Sequence, residues 1–194
     1  MKYLLILFLC APLLAVKIDP TVSSFEQREH KQRIDVYDFK GEYPDLEKID
    51  IDGRRKKNVE IYLSGNYPLL KKITYDGGFG VLIGELTGDY PELRTVDIKC
   101  GDANMELDLR GKWHQSCTIN IAGLKENISI DLPTDVGVIV NTKTKLRGKV
   151  ISNQMKKQGR LQIFNKTFHN DLVQTAPVVV TLNVDLTDGR IILR

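Results

Sequence analysis

The sequence has few of the features that would place it in a class by composition alone. It holds only three cysteines in 194 residues, too few for a small fold that depends on disulfide bonds. Its net charge of +3 is too weak to predict nucleic-acid binding. Beyond residue 15 no apolar run approaches the ~20 residues that a membrane-spanning helix needs. With 42% hydrophobic residues the chain can form a core, and its length predicts about one domain.

Motifs of catalysis, metal binding and phosphate binding are also missing. The histidines are far apart, with no His-x-x-x-His or Cys-x-x-Cys spacing, so no zinc site is predicted. No Gly-x-Ser-x-Gly nucleophile motif is present. The glycine-rich stretch 77–80 precedes a strand rather than a helix, which predicts a corner with positive φ and not a phosphate site. We therefore predict a non-enzymatic protein without a cofactor or a metal ion.

Residues 1–15 have the pattern of a signal peptide. Lys2 supplies a positive charge, an apolar run follows from Leu4 to Leu9, and Ala15 is a small residue at the predicted cleavage site. Cleavage there would export the mature chain to the periplasm or the cell surface. An uncleaved N-terminal anchor stays an alternative, because the residue three positions before the cut is a leucine. Lipid anchoring through Cys10 is not expected, because no small residue precedes it.

A repeat of about 23 residues fills the middle of the chain. Its mark is the motif Gly-x-Tyr-Pro, which begins at Gly41, Gly65 and Gly88, with a degenerate copy at Gly111. Each unit contains two stretches in which apolar and polar residues alternate, which is typical of strands with one buried face. Turn residues such as Asp52-Gly53 lie between the stretches.

Two strands and two corners in each unit predict one coil of a β-solenoid. Stacked coils place equivalent residues ~4.8 Å apart, so that each coil covers the apolar side of its neighbour. The expected columns of the first strand are Ile49/Ile51, Ile73/Tyr75, Val96/Ile98 and Ile119/Ile121. Those of the second strand are Val59/Ile61/Leu63, Leu82/Gly84/Leu86, Met105/Leu107/Leu109 and Ile128/Ile130/Leu132. A leucine-rich repeat has a similar period and stays an alternative, although the return segments show no helical period.

The predicted architecture is all-β, with one β-solenoid-like domain over residues 39–194. Clear repeats cover 39–132, and degenerate coils with short strands cover 133–194. An N-terminal arm of polar residues spans 16–38. Short C-terminal strands are predicted at 136–140, 149–151, 160–164, 178–184 and 190–193, with turns at 156–159 and 187–189.

These motifs resemble one group of bacterial proteins. The Gly-x-Tyr-Pro-x-Leu units and the stretch from Leu132 to Val138 are similar to the toast-rack family and to the C-terminal domain of LiaF-type proteins, which are linked to responses to cell-wall-active antibiotics. The resemblance covers residues 39–194 and implies a β-solenoid-like domain without catalytic residues. The multi-span membrane region of LiaF-type proteins is missing, which argues against direct control of a membrane sensor kinase.

Two groups of side chains are candidates for surface binding. The first is an aromatic column at one repeat position: Tyr43, Tyr67, Tyr90 and Trp113. This column either binds a glycan or a partner, or it is a structural stack that closes the corner. The second is a basic turn: Arg54, Arg55, Lys56 and Lys57. This turn either contacts an anionic lipid or wall polymer, or it is a solvated loop.

Taken together, the sequence predicts an exported binding or scaffolding module of the bacterial cell envelope. The expected partner is an envelope protein or a wall polymer, with peripheral contact to the membrane and no nucleic acid. The terminal strand at 190–194 would be available to pair with a second chain and form an oligomer. A hydrolase of envelope polymers is an alternative that requires two acids ~5–9 Å apart in a groove. A regulator of the envelope stress response is another, and it rests on the resemblance alone.

The repeat also predicts that Cys100 and Cys117 form no disulfide bond. Their positions differ by six residues along stacked strands, or ~20 Å at ~3.3 Å per residue, whereas the Cα atoms of a disulfide lie within ~7 Å of each other. Mass spectrometry of the mature protein without reductant should recover the two cysteines in separate peptides. A linked pair of peptides would show that the predicted register is wrong.

Overall fold

The computed structural model describes residues 34–145, 148–159 and 165–194. The predicted signal peptide, residues 16–33 of the predicted arm and the predicted strand at 160–164 lie outside the described residues. The strands of the first four coils are β1 (Ile34–Phe39), β2 (Lys48–Gly53), β3 (Asn58–Leu63), β4 (Lys72–Gly77), β5 (Gly80–Leu86), β6 (Asp89–Tyr90), β7 (Thr95–Lys99), β8 (Ala103–Asp108), β9 (Lys112–Trp113) and β10 (Cys117–Asp131). The later elements are β11 (Gly137–Thr144), β12 (Lys149–Ser152), β13 (Lys156–Gln158), β14 (Asn165–His169), the 3-10 helix η1 (Asp171–Gln174) and β15 (Val179–Leu193).

These strands form the two long walls of a solenoid. Each coil contributes one strand to each wall, and strands of successive coils pair in parallel. The first wall has the spatial order β2, β4, β7, β10, β15, β11, β14 and β13, in which only the pairings of β14 are antiparallel. The second wall has the order β1, β3, β5, β8, β10, β15 and β12. A short third ladder joins β6 to β9 at the Gly-x-Tyr-Pro corner. The predicted fold class, an all-β solenoid of two-strand coils, is confirmed.

The predicted apolar columns appear in the predicted register. Ile73 pairs with Ile49 on one side and with Val96 on the other, and Ile119 continues this column. On the second wall the column that contains Leu82 is formed in the same way, from Val59, Met105 and Ile128. All of these side chains are buried. The return segments are strands, so the leucine-rich repeat alternative is wrong.

The glycines of the Gly-x-Tyr-Pro motif form a column that requires the absence of a side chain. A Cβ atom on Gly65 would collide with the carbonyl oxygen of Gly41, and one on Gly88 would collide with the carbonyl oxygen of Gly65. The coils therefore approach closely enough at this corner that only glycine fits. At the opposite corner Gly80 has a φ of +113°, as the stretch 77–80 predicts.

Two predicted turns lie inside continuous strands. The corner at Ala122-Gly123 belongs to the 15-residue strand β10, and the corner at 187–189 belongs to the 15-residue strand β15. These two strands pair from Cys117 with Val180 to Ile130 with Leu193. Because the backbone pairing continues around the bend, each strand passes from one wall to the other without an unpaired loop.

The last strand of the sequence is not the last strand of the stack. Strand β15 lies between β10 on one side and β11 and β12 on the other. The expectation that residues 190–194 pair with a second chain is therefore wrong, because both edges of 190–193 are occupied within the chain. The predicted turn at 156–159 is also corrected, since Lys156–Gln158 forms β13 and pairs with β14.

The structure also locates the start of the solenoid and the two cysteines of the repeat region. Strand β1 occupies residues 34–39 and pairs with β3, so the final residues of the predicted arm belong to the solenoid. Lys99 pairs with Ala122, which puts Cys100 beside Gly123 and six residues from Cys117, as the repeat predicts. Cys117 is buried, and its burial raises the pKa of the thiol to about 12.

Gly65→Ala should destabilise the protein more than Gly84→Ala. The new Cβ at residue 65 meets a backbone oxygen that cannot move away, whereas at residue 84 it lies 2.9 Å from the flexible end of Leu107. We expect a loss of about 2 kcal/mol or more for Gly65→Ala. For Gly84→Ala we expect a change within about 1 kcal/mol, since alanine is the better residue in a strand. Urea unfolding of both variants measures the difference, and equal losses would contradict the glycine column.

Candidate functional site

A groove with a volume of about 530 Å³ lies on the outer surface of the first wall. It crosses β7, β10, β15, β11 and β14, which are neighbours in the sheet. Its volume is within the ~300–1,000 Å³ typical of small-molecule sites. Two of these strands, β7 and β10, come from the regular repeat, and the other three come from the C-terminal part of the chain.

Hydrogen-bonded side chains form the floor of this groove, and we call them the amide ladder: Asp97, Asn120, Asn183, Asn141 and Thr167. Asn120 Nδ2 donates to Asp97 Oδ1 at 2.8 Å, and Asn183 Nδ2 donates to Asn120 Oδ1 at 2.9 Å. Asn141 Nδ2 donates to Asn183 Oδ1 at 3.1 Å. The Thr167 hydroxyl donates to Asn141 Oδ1 at 3.0 Å. One hydrogen bond therefore joins each strand of the groove to the next.

The alternation of the strands positions the ladder. Asn120 lies between Ile119 and Ile121, which face the core, so its own side chain faces outward. The register brings Asn120 beside Asp97 in one neighbour and beside Asn183 in the other. The same register continues through the pairings of Asn141. The members of the ladder are half-buried, so solvent and a ligand can reach them.

Each amide of the ladder keeps hydrogen-bonding capacity for a ligand. An asparagine side chain has two N–H donors and two acceptor lone pairs. Within the ladder Asn120 and Asn183 each use one donor and one acceptor. The unused N–H and lone pair of each amide therefore remain for a group that both donates and accepts hydrogen bonds.

Asp97 ends the ladder with a negative charge. Its second oxygen lies 2.8 Å from Lys72 Nζ. The hydrogen bond from Asn120 and the contact with Lys72 together lower the pKa of Asp97. The carboxylate is thus ionised at neutral pH, and it attracts the N–H groups that all point along the ladder toward it.

A second row of outward side chains runs along the rim of the groove. Lys99, Ala122, Asp185, Lys143 and Asn165 occupy equivalent positions on successive strands. Lys143 Nζ lies 3.3 Å from an oxygen of Asp185. The small side chain of Ala122 leaves the floor accessible between the charged groups of this row.

The aromatic column forms as the repeat predicts. The rings of Tyr43 and Tyr67 stack at 5.5 Å, as do those of Tyr67 and Tyr90, and Trp113 follows at 5.4 Å. Tyr67 and Tyr90 have no exposed surface and Trp113 has only 5%, so these rings offer nothing to a ligand. The Tyr67 hydroxyl donates to the carbonyl of Phe39, and burial raises the pKa of Tyr67 to about 12. These contacts favour the structural interpretation of the column.

The basic turn does not form one positive surface. Arg54 lies 2.7 Å from an oxygen of Asp52 and Lys56 lies 2.9 Å from an oxygen of Asp35. Lys57 Nζ lies over the exposed ring of Phe79, 5.9 Å from its centre. Arg55 is exposed to solvent. Neighbouring carboxylates thus offset half of the charge that the sequence places here.

Neither a metal site nor a membrane-spanning helix is found in the described part of the chain. In the part of the chain that the structure describes, no three His, Cys, Asp or Glu side chains come together in a way that could hold a metal ion. Nor does any helix among these residues have the length and apolarity needed to cross a bilayer.

Sequence reasoning missed the amide ladder, although a signal was present. Asn120, Asn141 and Asn183 each lie between two inward residues. Only the first of these lies in the regular repeat. The other two come beside it because β15 inserts between β10 and β11, and the repeat carries no information about that insertion.

Asp97→Asn should reduce stability at neutral pH but not in acid. The substitution keeps an acceptor for Asn120 and removes the charge that contacts Lys72. Because the pKa of Asp97 is lower in the folded protein than its usual 3.8, the carboxylate stabilises the fold above that value. This contribution is lost as the pH falls through the folded pKa.

We expect a loss of about 1 kcal/mol for Asp97→Asn at neutral pH, measured by thermal unfolding across a pH series. Asp185→Asn is the control, because its ion pair with Lys143 is more exposed and should contribute little. A difference between wild type and Asp97→Asn that does not shrink toward acid pH would refute this assignment.

Comparisons with known proteins assign no family. No protein-family model matches the chain, and no curated protein matches it. Among solved structures, a candidate cell adhesion protein from Clostridium sporogenes aligns with a TM-score of 0.49 and 18% sequence identity. The alignment covers 70% of this chain and 54% of that one, so the chain spans about half the length of its neighbour. This likeness carries no argument about function, and the resemblance to the toast-rack family stays an expectation.

Proposed function

We propose that this protein is an exported, non-catalytic binding module of the bacterial cell envelope, with the groove as its binding surface. The amide ladder is the observation that carries the proposal. It supplies a row of donors and acceptors that are already held in place by hydrogen bonds to one another. A polar ligand that enters the groove therefore meets groups that need no reorganisation.

The solenoid supports this row as a rigid scaffold. Strands β10, β15 and β11 are each hydrogen-bonded to neighbours on both sides. The core side chains beneath the groove, such as Ile119, Leu182 and Val140, are completely buried. Groups fixed in this way lose little conformational freedom when a ligand binds, which improves affinity without additional contacts.

The carboxylates of the groove support binding rather than hydrolysis. A glycosidase needs one carboxylic acid that stays protonated near neutral pH, and so has a raised pKa. The pKa of Asp97 is lowered instead, and Asp185 lies in an ion pair with Lys143. Neither group has the environment of a general acid, so the hydrolase alternative has less support than the binding module.

The envelope location is part of the proposal and rests on the predicted signal peptide at residues 1–15 and on the resemblance to exported domains. A wall polymer is favoured as the partner over the membrane surface. The basic turn, which would be the membrane contact, has Arg54 and Lys56 paired with carboxylates. The middle of the groove floor, in contrast, presents uncharged amides, and these hydrogen-bonding groups suit a hydrated polymer.

Ala122→Trp tests the proposal, because a large ring at this exposed position would fill the groove without entering the core. Ser129→Trp is the matched control, since Ser129 is also a small outward residue of β10 but lies on the second wall. The measurement is co-sedimentation of each protein with insoluble bacterial cell walls that have been stripped of protein.

We expect the wild type and Ser129→Trp to sediment with the walls, and Ala122→Trp to bind at least about tenfold more weakly, a loss of ~1.4 kcal/mol. Thermal unfolding of the three proteins shows whether each is folded. Equal sedimentation of Ala122→Trp and wild type would remove the groove from the proposal, and no sedimentation of the wild type would remove wall binding.

A further inference from the structure

We infer that the groove binds an uncharged saccharide chain with β-1,4 linkages, which lies along the amide ladder and crosses the strands. This inference rests on the proposed function and names the ligand of the same site. It follows from the hydrogen-bonding groups of the floor, from their charge and from their spacing.

The hydrogen-bonding groups of the floor match hydroxyl groups. A sugar hydroxyl both donates and accepts a hydrogen bond, and each ladder amide offers one unused N–H and one unused lone pair. An apolar ligand would cover the donors and acceptors of Asn120, Asn183 and Asn141 without satisfying them. A polyhydroxylated chain can satisfy both the donors and the acceptors of the floor.

The charges of the groove favour a neutral chain over an acidic one. Asp97 and Asp185 both line the groove, and an anionic chain along the ladder would pass close to these two carboxylates. Each of these carboxylates is paired with a lysine, Lys72 or Lys143, so neither of these two lysines is left for an anionic ligand. Lys99 and Lys166 also line the groove, but they belong to its two end strands, β7 and β14. The centre of the floor, at Asn120 and Asn183, is uncharged.

The spacing of the ladder favours a straight chain. Neighbouring members belong to adjacent strands, so they repeat every ~4.8 Å, and the ladder as a whole extends over ~19 Å. A β-1,4-linked chain is extended, and one pyranose ring advances it by a distance close to this repeat. An α-1,4-linked chain curves and would leave the line of amides. Four rings in an extended chain are enough to contact the whole ladder.

The test is a titration of the folded protein with four tetrasaccharides, followed by NMR or calorimetry. Cellotetraose and N-acetylchitotetraose are neutral and β-1,4-linked, maltotetraose is neutral and α-1,4-linked, and tetragalacturonate is acidic. We expect weak binding of at least one of the first two, with Kd on the order of 0.1–1 mM, because no aromatic ring contributes stacking. We expect maltotetraose and tetragalacturonate to bind at least about fivefold more weakly, a difference of ~1 kcal/mol.

Asn183→Ala is the variant that tests the ladder directly. It should weaken binding of the β-1,4-linked tetrasaccharide about fivefold or more, since the ligand loses about one hydrogen bond and the neighbouring amides lose their alignment. Asn127→Ala is the matched control, because Asn127 is an outward asparagine of β10 that contacts Asn104 at 3.5 Å on the second wall. It should bind as the wild type does.

The outcomes separate this inference from the proposed function. Equal or tighter binding of maltotetraose or tetragalacturonate, or failure of both neutral β-1,4-linked chains to bind, would overturn the saccharide assignment. If cell walls still retain the wild type in a way that Ala122→Trp abolishes, the binding function stands and only its ligand class falls. If Asn183→Ala unfolds at a lower temperature, Ala122→Trp gives an independent test, because it should also abolish binding of the tetrasaccharide.

Discussion

Hydrogen bonding between consecutive coils is the constraint on which the rest of this structure depends. The two short strands of a coil do not pair with each other, so the N–H and C=O groups of each strand find their partners in the coil above or below. This pairing is in register from β2 through β4 and β7 to β10. Equivalent residues therefore stand directly over one another, and whatever one coil places at a position its neighbour must accommodate at that position. The glycine column at Gly41, Gly65 and Gly88 and the stacked tyrosines are two results of the same rule.

The rule applies to the outer surface as well, and it sets the spacing and alignment of the side chains in the amide ladder. Side chains on successive strands at one outward position are separated by ~4.8 Å at the backbone, a distance that two asparagine side chains can bridge with a hydrogen bond. Each amide can donate to the next and accept from the one before it, so a run of asparagines satisfies itself in one direction. Such a run needs an acceptor at one end and a donor at the other. Asp97 and Thr167 fill these two positions.

The sequence predicts the regular part of this fold well, because there the residues that pair between neighbouring coils are those one repeat apart in the sequence. The alternation between Gly41 and Leu132 predicts the strands, the buried columns and the offset of the two cysteines. It does not predict where β15 lies, since residues 179–193 have no repeat motif and pair with β10 across a separation of 63 residues. The amide ladder could not be predicted for the same reason, because Asn183 and Asn120 become neighbours only through the insertion of β15 between β10 and β11. The bends at Ala122 and at 187–189 were predicted as turns because the composition of a corner does not reveal that pairing continues through it.

The repeat motif and the candidate site differ in how they follow the repeat. The motif residues recur in each coil, whereas the residue type at the ladder position changes from coil to coil. A residue type that recurs in every coil, such as the tyrosine of Gly-x-Tyr-Pro, is constrained by the stacking itself, and Tyr67 and Tyr90 are accordingly buried. The amide ladder, in contrast, lies at a position whose composition differs from coil to coil. The outward position of the ladder is Asp50 and Thr74 in the first coils and becomes asparagine only from β10 onward. Nothing in the stacking requires that change, because the backbone register is the same on both sides of it. The backbone register therefore does not account for the change from a varied position to three consecutive amides. This change coincides with the groove.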